Sequence, residues 1–287
     1  MIIAEQKEPL IRFYDADHSY WHGDNKLLSV SGLWKNYKHD FDSHHYAMAH
    51  AYEVVAPERA KEVFYTHGKD NKTALKILEK EYSKELTQPH YEAVLQKWKD
   101  MSFEATERGT AYHLMRELRS YRQGFEINPY TGTSLPVRKY DKKYDNESLA
   151  EDLYDLPDGC YPELLIFNLE YGLVGQEDRV WIETIQGKRY AYSRDYKTDK
   201  VIKKGFYNKR TKSFTRLKRP VSHLIDSTIN FYSLKISTYS WMLEQFGYVI
   251  GGQGFEHIVD TATDKEFVYE CRYRKAEVEA VLKHFFV

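Results

Sequence analysis

The chain has 287 residues, of which 42% are hydrophobic and 30% are charged. This composition excludes a disordered tail or a fibre and predicts one globular domain with an elaboration, or at most two small domains. Lysine and arginine number 42 against 43 acidic residues, a formal net charge of -1. Any contact with nucleic acid or a membrane surface must therefore come from a local patch of charge.

The chain has two cysteines, Cys160 and Cys271. They are too few for a disulfide framework, a four-cysteine zinc site or an iron-sulfur cluster, and they favour a reducing compartment. The N-terminal sequence lacks the pattern of a signal peptide, and no apolar run approaches the length of about 18 residues that spans a membrane. We expect a cytoplasmic protein with no membrane partner.

The N-terminal part predicts strands followed by helices. Residues 11–31 alternate short apolar runs with Asp, Gly and Asn, as in a hairpin or meander. Residues 32–122 carry apolar side chains at the 3.6-residue spacing of helices. Residues 124–158 have no period and are rich in Gly, Pro, Asn, Asp and Tyr, which predicts an irregular insertion.

The C-terminal part predicts a helix, three strands, a helix, two strands and a helix. Three strand-like runs, CYPELLIFNLEY, GLVGQEDRVWIET and RYAYSRDYK, follow one another as in a meander. A basic segment without periodicity comes next. The remaining predicted elements are a helix over 223–247 ending at Gly247, strands near 248–259 and 266–273, and a helix over 274–286. The expected fold class is α/β, with a mixed, mainly antiparallel sheet flanked by helices.

Two neighbouring strands of the predicted meander carry acidic side chains. Asp178 lies in GQEDR, and Asp195 and Lys197 lie in RDYK at the end of the next strand. Side chains two residues apart in a strand share a face. Two carboxylates close together are stabilised by a hard cation such as Mg²⁺ or Mn²⁺, which lowers the pKa of a bound water. With a lysine to stabilise developing negative charge, this combination suits phosphodiester hydrolysis.

The Asp-x-Lys spacing is not specific by itself. It occurs three more times, beginning at Asp24, Asp70 and Asp141, where a solvated surface pair is the better interpretation. Asp195 differs because an apolar strand precedes it, a second carboxylate-bearing strand lies upstream, and a helix with Lys235 and Tyr239 one turn apart follows.

Several ordered motifs resemble the RecB-like branch of the PD-(D/E)XK nuclease superfamily, in particular small phage and mitochondrial-type exonucleases. The N-terminal DADHSYWHGDNKLLSVSGLW is similar to the opening of phage members. The more specific motifs are Gly-Thr-x-x-His at Gly109, Thr110 and His113, a strand-opening Glu163, Gly-x-x-Asp at Gly175 and Asp178, and Asp-Tyr-Lys-Thr from Asp195 to Thr198.

The resemblance implies a restriction-endonuclease-like core over 105–287, with a hairpin and a helical lobe over 1–104. It further implies that His113, Asp178 and Asp195 hold Mg²⁺ or Mn²⁺ and that Lys197 supports catalysis. Glu163 would bind a second metal or a water. The family commonly has Gln-x-x-x-Tyr on the later helix, where this chain has Lys235 and Tyr239; a lysine there can still contact phosphate.

Structural interpretations of the same residues stay open. His113 has Ala111 and Leu114 nearby and, taken alone, reads as a packed or surface histidine. Glu163 could be a solvated edge charge, and Lys235 and Tyr239 an exposed pair on a long helix. A zinc site at His39, His44, His45 and His50 is disfavoured, because they lack cysteine partners and a recognised ligand spacing.

Residues 201–220 form a local basic segment without acidic residues. Interleaved Phe206, Tyr207 and Phe214 favour a surface that follows phosphates and stacks bases, whereas the alternative is a solvated loop. Its charged residues are Lys203, Lys204, Lys209, Arg210, Lys212, Arg216, Lys218 and Arg219.

The sequence therefore predicts a metal-dependent DNA nuclease, an exonuclease acting on DNA ends or single strands, without an iron-sulfur cluster. The expected setting is a bacterial or phage-infected cell. The alternative is an inactive nucleic-acid-binding protein, or a phage structural or accessory protein that keeps the nuclease fold. The set of Asp178, Asp195 and Lys197 favours the enzyme. Lys235 at the glutamine position keeps the alternative open.

Overall fold

The computed structural model describes residues 11–14, 16–139, 150–205, 207–208 and 212–286. The chain divides into two compact units. The sheet unit comprises Met1–His39 and Gly109–Val287, and the helical unit comprises Asp40–Arg108. This division differs from the predicted boundary at 104/105, because the N-terminal hairpin joins the sheet of the C-terminal part.

The hairpin consists of three antiparallel strands, β1 (Arg12–Tyr14), β2 (Ser19–His22) and β3 (Asn25–Ser29), as the alternating sequence predicts. The helix α1 (Val30–Lys35) follows directly. Its N-cap is Ser29, whose hydroxyl accepts a hydrogen bond from the Gly32 amide. At its end, β3 pairs in parallel with residues 173–174 of the main sheet.

The helical unit holds α2 (Ser43–Val55), α3 (Pro57–His67), α4 (Lys72–Glu81) and the first part of α5 (Lys84–Gln123), which continues into the sheet unit. Pro57 starts α3, where its missing N–H costs nothing. None of the helices in the described ranges combines the length and apolar character needed to cross a bilayer. The buried core of this unit is formed by Tyr52, Ala60, Val63, Ala74 and Leu78.

The main sheet confirms the predicted α/β class and the mixed strand directions. The three predicted meander strands form antiparallel pairs. After a crossover helix, the next strand pairs in parallel with the third of them, and the last pairs antiparallel. The elements are β6 (Gly159–Asn168), β7 (Leu173–Ile185), β8 (Lys188–Lys197), α6 (Thr228–Gln245), β11 (Val249–Asp260), β12 (Lys265–Glu270) and α7 (Lys275–Phe286).

Two regions predicted to be irregular contain short ribbons. The segment 124–158 includes the paired strands β4 (Phe125–Ile127) and β5 (Ser134–Pro136) and a 3₁₀ helix (Ala150–Asp155). The basic segment includes the pair β9 (Tyr207–Asn208) and β10 (Ser213–Phe214). Such short pairs carry too few alternating side chains to be recognised from sequence periodicity.

The core of the sheet unit packs α1 and α6 against the sheet. The indole N–H of buried Trp34 donates to the Thr238 hydroxyl over 2.8 Å, which joins the two helices. α6 begins later than predicted because Ser227 caps it by accepting from the Asn230 amide. The helix ends before Gly247, whose φ of 85° suits glycine.

Candidate active site

Three acidic side chains lie in a row across the central strands. Glu163 lies between the β6–β7 pairs Pro162–Arg179 and Leu164–Glu177, so the register sets it opposite Asp178. The pairing between β7 and β8 ends at Arg179–Arg194. The next residue on each strand, Asp178 and Asp195, continues the same register, so these two residues lie opposite each other. Opposite residues share a face of the sheet. Three separate motifs of the sequence therefore converge.

The helix α5 adds His113 to this row. Its Nδ1 lies 3.2 Å from an oxygen of Asp178 and 3.5 Å from an oxygen of Glu163. One ligand atom from each of the three residues lies within 4.8 Å of the others. Two carboxylate oxygens and an imidazole nitrogen form a donor set that suits Mg²⁺ or Mn²⁺. Asp195 is outside this closest group.

The backbone at Glu163 is unusual. Its φ is 51°, a left-handed conformation that a residue with a side chain adopts only at a cost. The Glu163 carbonyl accepts a hydrogen bond from the Gln176 side chain over 3.2 Å. Glu163 also lies four residues inside β6, whereas the sequence analysis expects it to open the strand. This break in the pairing between β6 and β7 places the Glu163 carboxylate beside His113.

Asp195 and Lys197 form a buried ion pair at the end of β8. Asp195 is 4% exposed. The Lys197 ammonium also donates to the Tyr196 carbonyl over 2.8 Å. Between the two residues, the Tyr196 amide donates to the Asp178 carboxylate, which links β8 to β7. The lysine is thus held next to both aspartates.

The charges of the site shift one another's pKa values. The Asp178 carboxylate raises the pKa of His113 to about 10. Burial alone would raise the pKa of Asp178, but His113 and Lys197 outweigh burial and lower it to about 2. Burial raises the pKa of Glu163. Burial would lower the pKa of Lys197, yet Asp195 and Asp178 together raise it. Without a bound cation, His113 and Asp178 would therefore form a charged pair near neutral pH.

Glu177 is a site residue that the sequence analysis missed. Its side chain is 0% exposed, and neither carboxylate oxygen has a hydrogen-bond partner among the described residues. Burial and the charges of Asp195 and Asp178 raise its pKa well above the usual range. The available signal was an acidic residue inside the apolar run GLVGQEDRVWIET, since such residues are rarely buried without a role.

The motif glycines allow close contacts between elements. A Cβ on Gly175 would lie 2.6 Å from the Tyr239 hydroxyl, so this glycine permits α6 to approach β7. A Cβ on Gly109 would lie 3.4 Å from the Thr198 hydroxyl, an ordinary contact that joins α5 to the end of β8. Thr110, the next residue of that motif, is exposed.

Lys235 and Tyr239 lie on α6, and Tyr239 is buried against the sheet. Burial, followed by the positive charge of Lys197, lowers the pKa of Lys235. Asp195, Asp178 and Glu177 act in the opposite direction. The predicted pair therefore belongs to the same cluster of charges, and it is not an exposed pair on a helix surface.

A second layer of charged side chains supports β8. The guanidinium groups of Arg116 and Arg179 lie 4.5 and 4.8 Å from the centre of the Tyr196 ring. Arg179 also donates to Glu256 on β11 over 2.9 Å. These contacts fix the strand that carries Asp195 and Lys197. Arg116, on the helix that carries His113, was not singled out from the sequence.

The basic segment is described in part. Tyr207 and Phe214 are exposed on the β9–β10 ribbon, with ring centres 5.1 Å apart. Arg216 donates to the His223 carbonyl over 2.8 Å. Phe206, Lys209 and Arg210 lie outside the described residues. Lys203, Lys204 and Lys212 lie within them.

The histidines near the start of the helical unit contact separate groups. His45 Nε2 lies 2.7 Å from the Lys69 carbonyl, and His50 Nδ1 lies 2.9 Å from Glu53. His44 pairs with the Tyr91 hydroxyl. In the part of the chain that the structure describes, the group of His113, Glu163 and Asp178 is the one cluster with metal-ligand spacing.

Comparison with protein-family models, curated proteins and solved structures finds no match for this chain. A function must therefore be assigned from the chemistry of the site. The relevant features are a three-residue donor set, an adjacent Asp195–Lys197 pair and a basic segment that follows β8 in the sequence.

Proposed function

We propose that the protein is a metal-dependent DNA nuclease with a restriction-endonuclease-like core of the PD-(D/E)XK superfamily. The observation that carries the proposal is the convergence of His113, Glu163 and Asp178 beside the Asp195–Lys197 pair. These residues come from α5, β6, β7 and β8. Side chains that are distant in sequence, mutually charged and mostly buried are typical of functional sites.

The topology agrees with this proposal. One helix, three antiparallel strands, a crossover helix and a further strand, which pairs in parallel, follow in the order that the helix and strand patterns of the sequence predict. In this sheet the end of β8 lies beside the middle of β7, which carries Asp178. The same topology can host other chemistry, so the site residues carry the functional argument.

His113, Glu163 and Asp178 would hold Mg²⁺ or Mn²⁺, with Asp195 next to them. The fit rests on the donor set, because two carboxylates provide the hard oxygen ligands that these ions prefer and Mn²⁺ accepts a nitrogen. When bound, such a cation lowers the pKa of a water and neutralises charge on a phosphate.

Lys197 would act on the attacking water and the scissile phosphate. Its ammonium would orient the attacking water beside the scissile phosphate. It would also stabilise the negative charge that develops as the water loses a proton to solvent, its oxygen bonds to phosphorus and the bond to the leaving oxygen breaks. Asp195 holds the ammonium in place, and Asp178 adds negative charge nearby. Glu163 would bind a water or a second cation in the same cluster.

The basic segment would bind the DNA strand. Lys203, Lys204 and Lys212 supply positive charge, and Tyr207 and Phe214 are exposed for base stacking. Single strands suit this arrangement because unpaired bases can stack on aromatic rings. We therefore propose an exonuclease that acts on DNA ends or single strands in the cytoplasm of a bacterial or phage-infected cell.

One observation favours a second function, a nucleic-acid-binding protein that does not hydrolyse DNA. Lys235 replaces the family's glutamine and adds a positive charge near Lys197. A resident ammonium of this kind can occupy part of the space and charge balance that a cation requires. The intact Asp195–Lys197 pair favours the enzyme.

Degradation of labelled oligonucleotides distinguishes these functions. The substrates are linear single-stranded and duplex DNA, the same DNA with blocked 5′ or 3′ ends, and circular DNA, each with Mg²⁺, Mn²⁺ or EDTA. An exonuclease would degrade linear DNA in the presence of either cation and leave circular DNA intact. Cleavage of circles would identify an endonuclease. DNA binding without any degradation would support the second function.

A further inference from the structure

The Lys197 ammonium contacts a tyrosine on α6 in addition to its partners on β8. It pairs with Asp195 and donates to the Tyr196 carbonyl over 2.8 Å. It also lies 4.9 Å from the centre of the Tyr232 ring, over the ring face. A ring attracts an ammonium at this distance, and it does so more strongly where water is excluded. Only 12% of the Lys197 side chain is exposed, which favours a strong contact.

The Tyr232 ring is itself held from two sides. Its hydroxyl donates to the Asp199 carboxylate, and the Asp199 carbonyl in turn lies 2.6 Å from His257 Nε2. Burial and the Asp199 carboxylate raise the pKa of Tyr232 above its ordinary range, so the hydroxyl keeps its proton for this hydrogen bond. The ring also packs against buried Phe255 on β11, with ring centres 5.4 Å apart and an angle of 72° between the rings. These contacts restrain the ring that faces Lys197.

Binding of a divalent cation would change the balance of the contacts to Lys197. In the proposed function Asp195 lies next to Mg²⁺ or Mn²⁺, and the same carboxylate pairs with the lysine. A carboxylate that is close to a divalent cation attracts an ammonium less strongly, and the cation itself repels the ammonium. The attraction of the uncharged Tyr232 ring does not depend on the charge of Asp195. The ring contact would therefore persist when the pairing with Asp195 weakens.

We propose that Tyr232 is a positioning residue that keeps the Lys197 ammonium in the site when a cation is bound. This inference rests on the proposed function, since it concerns the lysine that would act on the water and the phosphate. A lysine stem has four carbons and is flexible. Without the ring, the repelled ammonium would turn away from the cation and from the reacting groups.

The first test measures how fast an N-hydroxysuccinimide ester acetylates Lys197 in the absence of DNA, with Mn²⁺ or with EDTA. Mass spectrometry of the proteolysed protein gives the rate. In EDTA, Asp195 holds the lysine, so the unmodified protein and Tyr232→Leu should react at similar rates. In Mn²⁺, Tyr232→Leu should react about threefold faster or more, because the ring contact is lost. Leucine opens the same space in both solutions, so the comparison separates positioning from packing.

The second test measures kcat and KM for DNA cleavage with Mn²⁺. Tyr232→Leu should lower kcat by about tenfold, the effect of losing a desolvated contact between a cation and a ring. KM should stay within about threefold, because Tyr232 acts through Lys197 and not on the DNA. Tyr232→Phe keeps the ring and loses its hydroxyl anchor, so it should restore kcat to within about threefold of the unmodified protein.

A second tyrosine on the same face of the sheet provides the matched control. Tyr269 also packs against Phe255, with ring centres 4.7 Å apart, but it lies on β12, two strands from β8. Tyr269→Leu should therefore leave the acetylation of Lys197 and kcat unchanged. Thermal unfolding checks that each variant is folded. If Tyr232→Leu does not fold, Tyr232→Met replaces it, because methionine fills irregular gaps without a ring.

Three results would each overturn the inference: equal acetylation of the folded variant and the unmodified protein in Mn²⁺, an increase of the same size in EDTA, or an unchanged kcat. Calorimetry with Mn²⁺ and DNA degradation by the unmodified protein are measured in parallel. If the unmodified protein binds Mn²⁺ and degrades DNA while acetylation does not depend on Tyr232, only the inference fails. If it binds Mn²⁺ without degrading DNA and acetylation depends on Tyr232 as expected, the inference holds and the proposed hydrolysis fails. A protein that does not bind Mn²⁺ would overturn both.

Discussion

At the scale of single residues, the His113–Asp178 pair links the charge of the site to the stability of the fold. Asp178 raises the pKa of His113 from its ordinary value of 6.5 to about 10. A raised pKa in the folded state adds stability below the unfolded pKa, and this stability is lost as the pH rises through the folded value. Asp178 remains ionised across that interval because its pKa is lowered to about 2.

We therefore predict that, in EDTA, His113→Gln reduces the loss of stability between pH 7 and pH 10. The unmodified protein should lose about 2–4 °C more in Tm than the variant over this range, the shift expected for about 1 kcal/mol in a domain of this size. Thermal unfolding followed by circular dichroism measures it. His50→Gln, which removes a histidine paired with Glu53, should keep the unmodified slope. Equal slopes for all three proteins would exclude the charged pair.

A second prediction at the residue scale concerns Lys197, whose proposed role differs from that of the metal ligands. Lys197→Ala should retain metal affinity within a few fold, because in the proposed function its ammonium acts on the water and the phosphate and not on the cation. The rate should fall by about a hundredfold or more, as for loss of an electrostatic catalytic group. Calorimetry with Mn²⁺ and single-turnover cleavage measure the two quantities. Lost metal affinity with unchanged turnover would contradict these roles.

At the scale of elements, the contact between α6 and β7 depends on a glycine. Gly175→Ala would set a Cβ 2.6 Å from the Tyr239 hydroxyl, so the helix or the strand must shift. We predict a loss of about 1–3 kcal/mol in the free energy of unfolding, the usual cost of overpacking. Tyr239→Phe removes the nearest atom and should recover part of that loss.

Denaturant unfolding measures these changes, and Gly109→Ala is the matched control. Gly109 lies within α5. Its added Cβ would lie 3.4 Å from the Thr198 hydroxyl, an ordinary van der Waals contact. Alanine also favours helices over glycine, so stability should stay the same or rise. If the Gly175→Ala protein were as stable as the Gly109→Ala protein, this would contradict the close approach of α6 to β7 at Gly175.

Local patterns account for most elements of the sheet unit. Apolar runs and turn signals predict β6, β7 and β8, and periodicity predicts α6 and α7, because each pattern is contained in a few consecutive residues. The pairing of β3 with residues 173–174 depends on segments far apart in the chain. Local periodicity cannot specify such a contact. The sequence alone therefore places the hairpin with the helical lobe and not with the sheet.

Local patterns likewise predict only part of the site. The alternation of side chains along a strand predicts that Asp195 and Lys197 share a face. The family resemblance predicts that His113 and Glu163 belong to the same site. The positive φ of Glu163, and the lack of a partner for the Glu177 oxygens among the described residues, depend on how neighbouring strands and α6 pack. Neither property has a sequence signal beyond a charged residue within an apolar run.

At the scale of the whole molecule, the charge balance bears on the proposed DNA binding. The formal net charge is -1, so the proposed affinity for DNA would come from the basic segment and not from the overall field. Neutralising Lys203, Lys204 and Lys212 together should reduce the log-log salt slope of single-strand binding by roughly two units, at about 0.7 per phosphate contact.

Fluorescence titration at several salt concentrations measures this slope. The control variant neutralises three exposed lysines elsewhere in the sheet unit, Lys265, Lys275 and Lys283, and should keep the unmodified slope. Metal binding should be the same in both variants, because neither changes the donor set. An unchanged slope in the basic-segment variant would make that segment a solvated loop.

In the proposed function, one mostly buried cluster of three carboxylates, a histidine and a lysine hydrolyses DNA with a divalent cation. The most direct test compares cleavage of end-labelled DNA by the unmodified protein and by Asp195→Asn, with Mg²⁺ or Mn²⁺ and with EDTA. Asp195→Asn replaces an anionic oxygen by an amide of similar shape. We predict cation-dependent products from the unmodified protein, none in EDTA, and none from the folded variant. Full activity of folded Asp195→Asn, or no cleavage by the unmodified protein under any of these conditions, would contradict it.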